Sequence, residues 1–286
     1  MDALISRNFV DKNSALYFVD DGSGDDTCAL LCELKKNTCH RLIKLSKNFG
    51  QQSAILAGLK VAHKECFDCA ISIDGDLQQD IDAIDAMIEK FCAGSEVVYG
   101  VRYAYTHERA RKKYTSFAFY KFMRLLGVNI IDNHIEYRLL SRKAIKALLK
   151  FKEVNLFLRG IVPLLGFKSD IVYYKQLARA GGDTKYSFVK RLSLALEAIT
   201  SFSIAPLRIM SVFGVILFVL CGIYGCYAIY VKFFTSTPLA GWTSMIVVLL
   251  FFGGVQFLGL GIIGEYVGKI YNEIKRRPRY IIDEIL

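Results

Sequence analysis

A chain of 286 residues has room for one sizeable soluble core plus something smaller, since single domains commonly run to about 100–200 residues. Its hydrophobic content of 53% exceeds the roughly 45–50% of soluble domains, so part of the apolar surface must face lipid rather than a core. The net charge of +10 fits a protein lying against anionic lipid; no nucleic-acid motif accompanies it, which argues against nucleic acid as a partner.

The opening MDALISRNFV is polar and lacks the apolar centre of a cleavable signal. Ser14 to Val19 reads as a short strand ending in Asp-Asp-Gly-Ser, a turn. Thr27 to Lys36 then reads as a helix, Arg41 to Leu45 as a second strand and Gln51 to Ala62 as a helix. Cys69 to Ile73 is a third strand that ends in Asp-Gly-Asp, followed by an amphipathic helix over Asp80 to Cys92 and a strand over Glu96 to Gly100. Helices are predicted again over Lys112 to Leu126 and Arg142 to Leu149. Strands alternating with helices imply a parallel, Rossmann-like α/β sheet covered on both faces, with ligands bound beyond the carboxyl ends of its strands.

An amphipathic stretch between Lys185 and Phe202 suits the plane of a membrane interface, and Pro206 marks a break after it. Ile209 to Val231 and Thr243 to Gly264 carry no charge. At 1.5 Å per residue each is long enough, as a helix, to cross the roughly 30 Å of a hydrocarbon core. The short connection offers only Lys232, whereas Lys185, Lys190, Arg191 and Arg208 precede the spans and Lys269, Lys275, Arg276, Arg277 and Arg279 follow them. The positive-inside tendency then puts both termini in the cytoplasm, at the plasma (inner) membrane. Gly253, Gly254, Gly259, Gly261 and Gly264 would permit close helix packing, and with it a homo-oligomer. The eight cysteines are scattered, and the lone CxxC at Cys66 and Cys69 has no second pair at metal-ligand spacing.

Two strand ends carry chemistry. Asp20 and Asp21 can accept hydrogen bonds from a base or ribose edge, with Gly22 and Gly24 allowing close approach of the backbone. Asp74 and Asp76, one residue apart after a buried strand, make a hard-oxygen clamp for Mg²⁺ or Mn²⁺. A metal held there would neutralise a diphosphate, whose charge grows as it departs.

The strings FVDDGSGDDT, LSKNFGQQSAILAGL, SIDGDLQQD, EYRLLSR, FLRG with LLGF, ARAGGDTKYS and SFSIAPLR, followed by two spans, make the chain resemble the family 2 polyprenyl-phosphate glycosyltransferases. They look like the dolichol-phosphate mannose synthase group, and especially its bacterial members with a two-helix anchor. The resemblance implies a GT-A nucleotide-sugar transferase fold with a C-terminal transmembrane hairpin. It also implies inverting transfer of a sugar from a UDP- or GDP-sugar to a polyprenyl (undecaprenyl) phosphate.

Residue by residue, Asp20, Asp21, Asn48, Gly50, Asp74 and Gln78 match donor-binding positions, and Asp74 with Asp76 the metal motif. Asp76, Glu136 and Arg138 match catalytic positions, with Glu136 orienting the acceptor or assisting as base. Arg179 and Lys185 match the basic pair that meets the lipid phosphate or the diphosphate. Two departures stand out: Glu136 occupies the family's usual aspartate position, and the opening strand with its Pro-x-Tyr-Asn-Glu element is missing. The second leaves an alternative reading as an N-terminally truncated, catalytically impaired member that serves as a membrane scaffold. The expected organisation is a cytoplasmic transferase domain over 1–186, an interfacial segment over 187–206, two spans over 207–267 and a basic tail over 268–286. On that division, deleting Leu207 onward should spare donor binding and remove lipid transfer.

Overall fold

The computed structural model describes residues 2–7, 10–35, 40–103, 134–154, 157–176, 204–234 and 241–286. They divide into two units, one comprising residues 1–187 with 276–286 and the other residues 188–275.

The first unit opens with helix α1 (Asp2–Ser6), then runs β1 (Leu16–Asp20), α2 (Thr27–Lys35), β2 (His40–Leu45), α3 (Gln51–Lys64) and β3 (Cys69–Ser72). It continues through α4 (Ala83–Cys92), β4 (Val97–Arg102), β5 (His134–Ser141), α5 (Arg142–Leu148), α6 (Leu158–Leu164) and β6 (Ser169–Tyr174). For β1, α2, β2, α3, β3, β4 and α5 the bounds lie close to those read from the sequence, whereas α1, β5, α6 and β6 are elements it did not predict. Helix α4 starts later than the pattern predicts because Asp80 Oδ1 accepts from the Asp82 amide (3.1 Å), folding Asp80–Asp82 into a turn.

Two sheets result, in the orders β1-β2-β7 and β3-β5-β4-β6, where β7 is Ile282–Ile285. β1 pairs parallel with β2, and β4 parallel with β6, as the alternation predicts. β5, however, lies between β3 and β4 and is antiparallel to both, so the second sheet is mixed. The alternation places Glu136, Arg138 and Leu140 on one face of β5 and Tyr137 and Leu139 on the other.

Helix α3 buries Ala54, Ala57 and Val61 against Ile43 and Leu45 of β2. Helix α4 buries Met87 and Ile88 against Val98, Tyr137, Leu139 and Val172 of the other sheet. Each Val, Leu, Ile or Met among them, fully buried, contributes about 1.5–3 kcal/mol.

Residues 268–286 differ from the tail expected of them. Residues 268–274 continue a long helix, whereas β7 pairs antiparallel with β2, Leu42 and Leu286 exchanging both backbone hydrogen bonds (2.9 and 2.8 Å). The basic run at 275–279 masks the short β-prone IIDEI stretch that follows it.

The second unit contains α7 (Ala205–Phe234) and α8 (Trp242–Ile274), which extend the two uncharged stretches by a turn or more. Both are long and apolar enough to span a membrane, with side chains such as Phe218 (80% exposed) and Phe257 (77%) pointing outward. The predicted helix over 112–126 and the interfacial segment over 187–206 lie outside the described residues, apart from the start of α7.

Candidate functional site

The carboxyl end of β1 meets the loop that leads into α3. Asp20 is 4% exposed; its Oδ1 accepts from the Ser23 amide (3.2 Å) and hydroxyl, while Oδ2 is buried with no partner among the described residues. Asp21 accepts from the amides of Phe49 (2.7 Å) and Gly50 (2.9 Å). Those amides stand at the N-terminus of α3, where helix dipole and unsatisfied N–H groups favour a carboxylate. Asp21 thus holds the loop, and Asp20 is the one with an unused oxygen. Asn48 and Gly50 are exposed along the same loop.

Gly22 has φ +65°, and a Cβ there would lie 2.6 Å from the Asn48 nitrogen and overlap the Lys47 carbonyl carbon. Backbone cannot yield as a side-chain tip does. Gly22→Ala is therefore expected to spread the two loops, lowering stability by at least the roughly 1–2 kcal/mol of a left-handed alanine and weakening nucleotide binding. Titration with nucleotide beside a melting curve checks both.

The end of β3 carries Asp74 and Asp76. Asp74 Oδ1 accepts from Gln51 Nε2 (2.6 Å) and Oδ2 from Gln79 Nε2 (3.0 Å), while Gln79 Oε1 accepts from the Asp74 amide (2.9 Å). Burial raises the Asp74 carboxyl above its ordinary range; Gln51 opposes this, the charges of Asp76 and Glu136 add to it, and Arg159 opposes it. Asp76 Oδ1 accepts from the Gln78 amide (3.2 Å). Between them, Leu77 is 61% exposed at φ +57°, a conformation costing about 1–3 kcal/mol and kept where the surroundings require it.

Behind this turn lies a buried ionic cluster. Glu136, 1% exposed, accepts at Oε1 from Gln52 Nε2 (2.9 Å) and Arg159 Nε (2.9 Å), and at Oε2 from Arg138. Arg138 is equally buried and also donates to the Leu158 carbonyl (3.1 Å); burial pulls its pKa down, with Glu136 opposing. The Leu158 amide in turn donates to Gln52 Oε1 (3.0 Å). With three donors on its carboxylate, Glu136 is placed to anchor Gln52, Arg138 and Arg159. Arg138, matched to a catalytic position, is enclosed by the same cluster. Arg159, about one-third exposed, is the guanidinium that reaches both Glu136 and the field around Asp74.

Gln78 faces another way: its Oε1 accepts from Gln176 Nε2 (2.7 Å), whose Oε1 accepts from Arg102 (2.6 Å). Nearby, the buried Tyr174 hydroxyl has no hydrogen-bond partner among the described residues, and burial pushes its pKa up to about 12. Arg179 and Lys185 lie outside the described residues. Gln51, Gln52, Gln79 and Arg159 were missed as site residues although all four lie within the strings of the resemblance.

Residues 3–149 match the glycosyl transferase family 2 pattern, and residues 205–270 match the GtrB C-terminal hairpin. The chain belongs to glycosyl transferase family 2. It is 45% identical over 284 residues to the uncharacterised glycosyltransferase YkoT of Bacillus subtilis, covering 99% of this chain and 84% of that one. It is 36% identical over 272 residues to a prophage bactoprenol glucosyl transferase homologue of Escherichia coli, covering 94% and 88%. A bactoprenol glucosyl transferase of Shigella phage SfII is 36% identical over 269 residues, covering 93% and 86%.

As a member of that family the chain is a nucleotide-sugar glycosyltransferase, and its hairpin makes it a membrane protein. Family 2 enzymes generally use a divalent metal. Among the described residues no cluster of three or more His, Cys, Asp or Glu could hold one alone. The turn fits a metal completed by the substrate: Asp74 is desolvated beside the like charges of Asp76 and Glu136, a repulsion that a cation would relieve. Each Asp74 oxygen accepts one amide hydrogen bond, leaving lone pairs for an ion.

Proposed function

We propose that the chain transfers a sugar from a UDP- or GDP-sugar to a polyprenyl (undecaprenyl) phosphate at the cytoplasmic face of the plasma membrane, with inversion at the anomeric carbon. The observation that carries this reading is the Asp74–Asp76 turn, braced by Gln51 and Gln79, in a chain that also carries the family's membrane hairpin. The names of the prophage and phage relatives support the lipid acceptor and make a glucosyl donor the first to test. The basic residues flanking the spans support a cytoplasmic site.

Asp74 and Asp76 would hold Mg²⁺ or Mn²⁺, which stabilises the charge developing on the diphosphate leaving group. Asp20 offers its unused buried oxygen to the nucleotide, and Asn48 and Gly50 line the same side. Arg159, with Arg179 and Lys185, lowers the repulsion between two anionic substrates. The acceptor is a phosphate monoester with a second pKa of about 6, so its oxygen is largely ionised at neutral pH. A strong general base is then unnecessary, which agrees with a Glu136 held by Gln52, Arg138 and Arg159.

The test is transfer by the full chain in nanodiscs containing undecaprenyl phosphate, with each metal and a panel of UDP- and GDP-sugars. A glycosylated lipid phosphate from one donor, lost on chelation, is the expected product. No lipid-linked product from any donor would overturn the acceptor assignment, and undiminished transfer in chelator would overturn the metal assignment.

A further inference from the structure

We infer that the segment Arg279–Leu286 positions the loop over residues 46–50, and so acts on donor binding; the inference rests on the reading of that loop as part of the donor pocket. The segment follows the second membrane helix in the chain, yet it contacts β2, α3 and Phe151. β7 pairs along β2 from Ile43 to Leu45, and the Ser46 amide then donates to the Ile281 carbonyl (3.0 Å), extending the ladder into the loop itself. Lys44 pairs with Asp283 at 3.7 Å. Tyr280 and Ile282 pack on the cluster of Ile43, Leu45, Ala54, Ala57 and Val61, and Phe49 packs on that same cluster. The Lys60 ammonium lies 5.8 Å from the Tyr280 ring centroid, and Arg279 donates to the Phe151 carbonyl.

The loop is tied at three places along its length. Its far end gives the Phe49 and Gly50 amides to Asp21, its middle presses on Gly22, and its near end is tied to Ile281. Removing the segment would strip one edge of β2 and part of the apolar floor beneath Phe49. Deletion from Leu207 onward removes β7 as well as the spans, so such a fragment is expected to lose donor binding, the reverse of what the sequence alone implies.

The test uses the full chain in nanodiscs, comparing wild type with Tyr280→Ala, Ile282→Ala and the conservative Tyr280→Phe. Amide exchange over residues 46–52 and the split between donor KM and kcat are both read. The two alanine variants should exchange faster over 46–52 and show a donor KM raised about tenfold, equivalent to about 1.4 kcal/mol, with kcat within about twofold. Tyr280→Phe, which keeps the ring, should restore both. Unchanged exchange over 46–52, even with a lowered melting temperature, would overturn the inference. Faster exchange with an unchanged donor KM would instead overturn the reading of this loop as part of the donor pocket.

Discussion

Glu136→Ala is expected to lower the melting temperature of the catalytic unit by roughly 6–20 °C. Removing one partner of a buried ion pair costs about 3–5 kcal/mol, and for a domain of about 150–250 residues each kcal/mol moves the midpoint by about 2–4 °C. Here the loss falls on several groups together. Among the described residues, Arg138, 1% exposed, would keep the Leu158 carbonyl alone, and its Nε already has no partner there. Gln52 and Arg159 would each lose an acceptor. The paired replacement Glu136→Ala with Arg138→Met should recover much of the loss, because exchanging a buried ion pair for apolar groups is often nearly neutral. Scanning calorimetry of the three proteins in one detergent checks this. Were Glu136 the catalytic base instead, Glu136→Gln would lower kcat while leaving the midpoint in place, and that pattern would refute the anchoring role.

Part of the fold and of the candidate site was readable in the sequence and part was not, for identifiable reasons. Strands ending at Asp20 and near Asp74 follow from β-rich runs stopped by Asp and Gly, and both acidic turns lie where the alternation puts them. The two membrane helices follow from the uninterrupted apolar runs. Spacing does not say which of two adjacent glutamines folds back on Asp74. Leu77 at positive φ turns the chain so that Gln79 returns to Asp74 while Gln78 reaches Gln176. The pairing of Glu136 with Arg138 follows from their i, i+2 placement once β5 is known to be a strand, but its antiparallel insertion between β3 and β4 is a long-range choice that local periodicity does not encode. β7 was hidden for a similar reason: four residues after a basic run read as solvated chain, and only β2 supplies the edge that makes them a strand.

Asp76→Asn is expected to lower kcat for sugar transfer by about 10²–10³-fold or more, the scale seen when one group that stabilises developing charge is removed, while leaving the fold intact. The two halves of that expectation have separate grounds. The fold should survive because Asn keeps an acceptor oxygen for the Gln78 amide, and because loss of the Asp76 charge relieves a repulsion on Asp74. The sign is definite: Asp76 raises the Asp74 pKa, so its neutral replacement lets Asp74 ionise more easily and does not penalise the folded state. Turnover should fall because the diphosphate gains negative charge as it leaves, and a turn with one anionic oxygen group in place of two holds a divalent ion less strongly where that charge appears. Initial rates with saturating donor, excess Mn²⁺ and lipid acceptor, run beside a melting curve, separate these effects. A variant that melts like wild type and turns over like wild type would remove the metal from this pair. A variant rescued by raised metal concentration would show that Asp76 contributes to ion affinity more than to the chemical step.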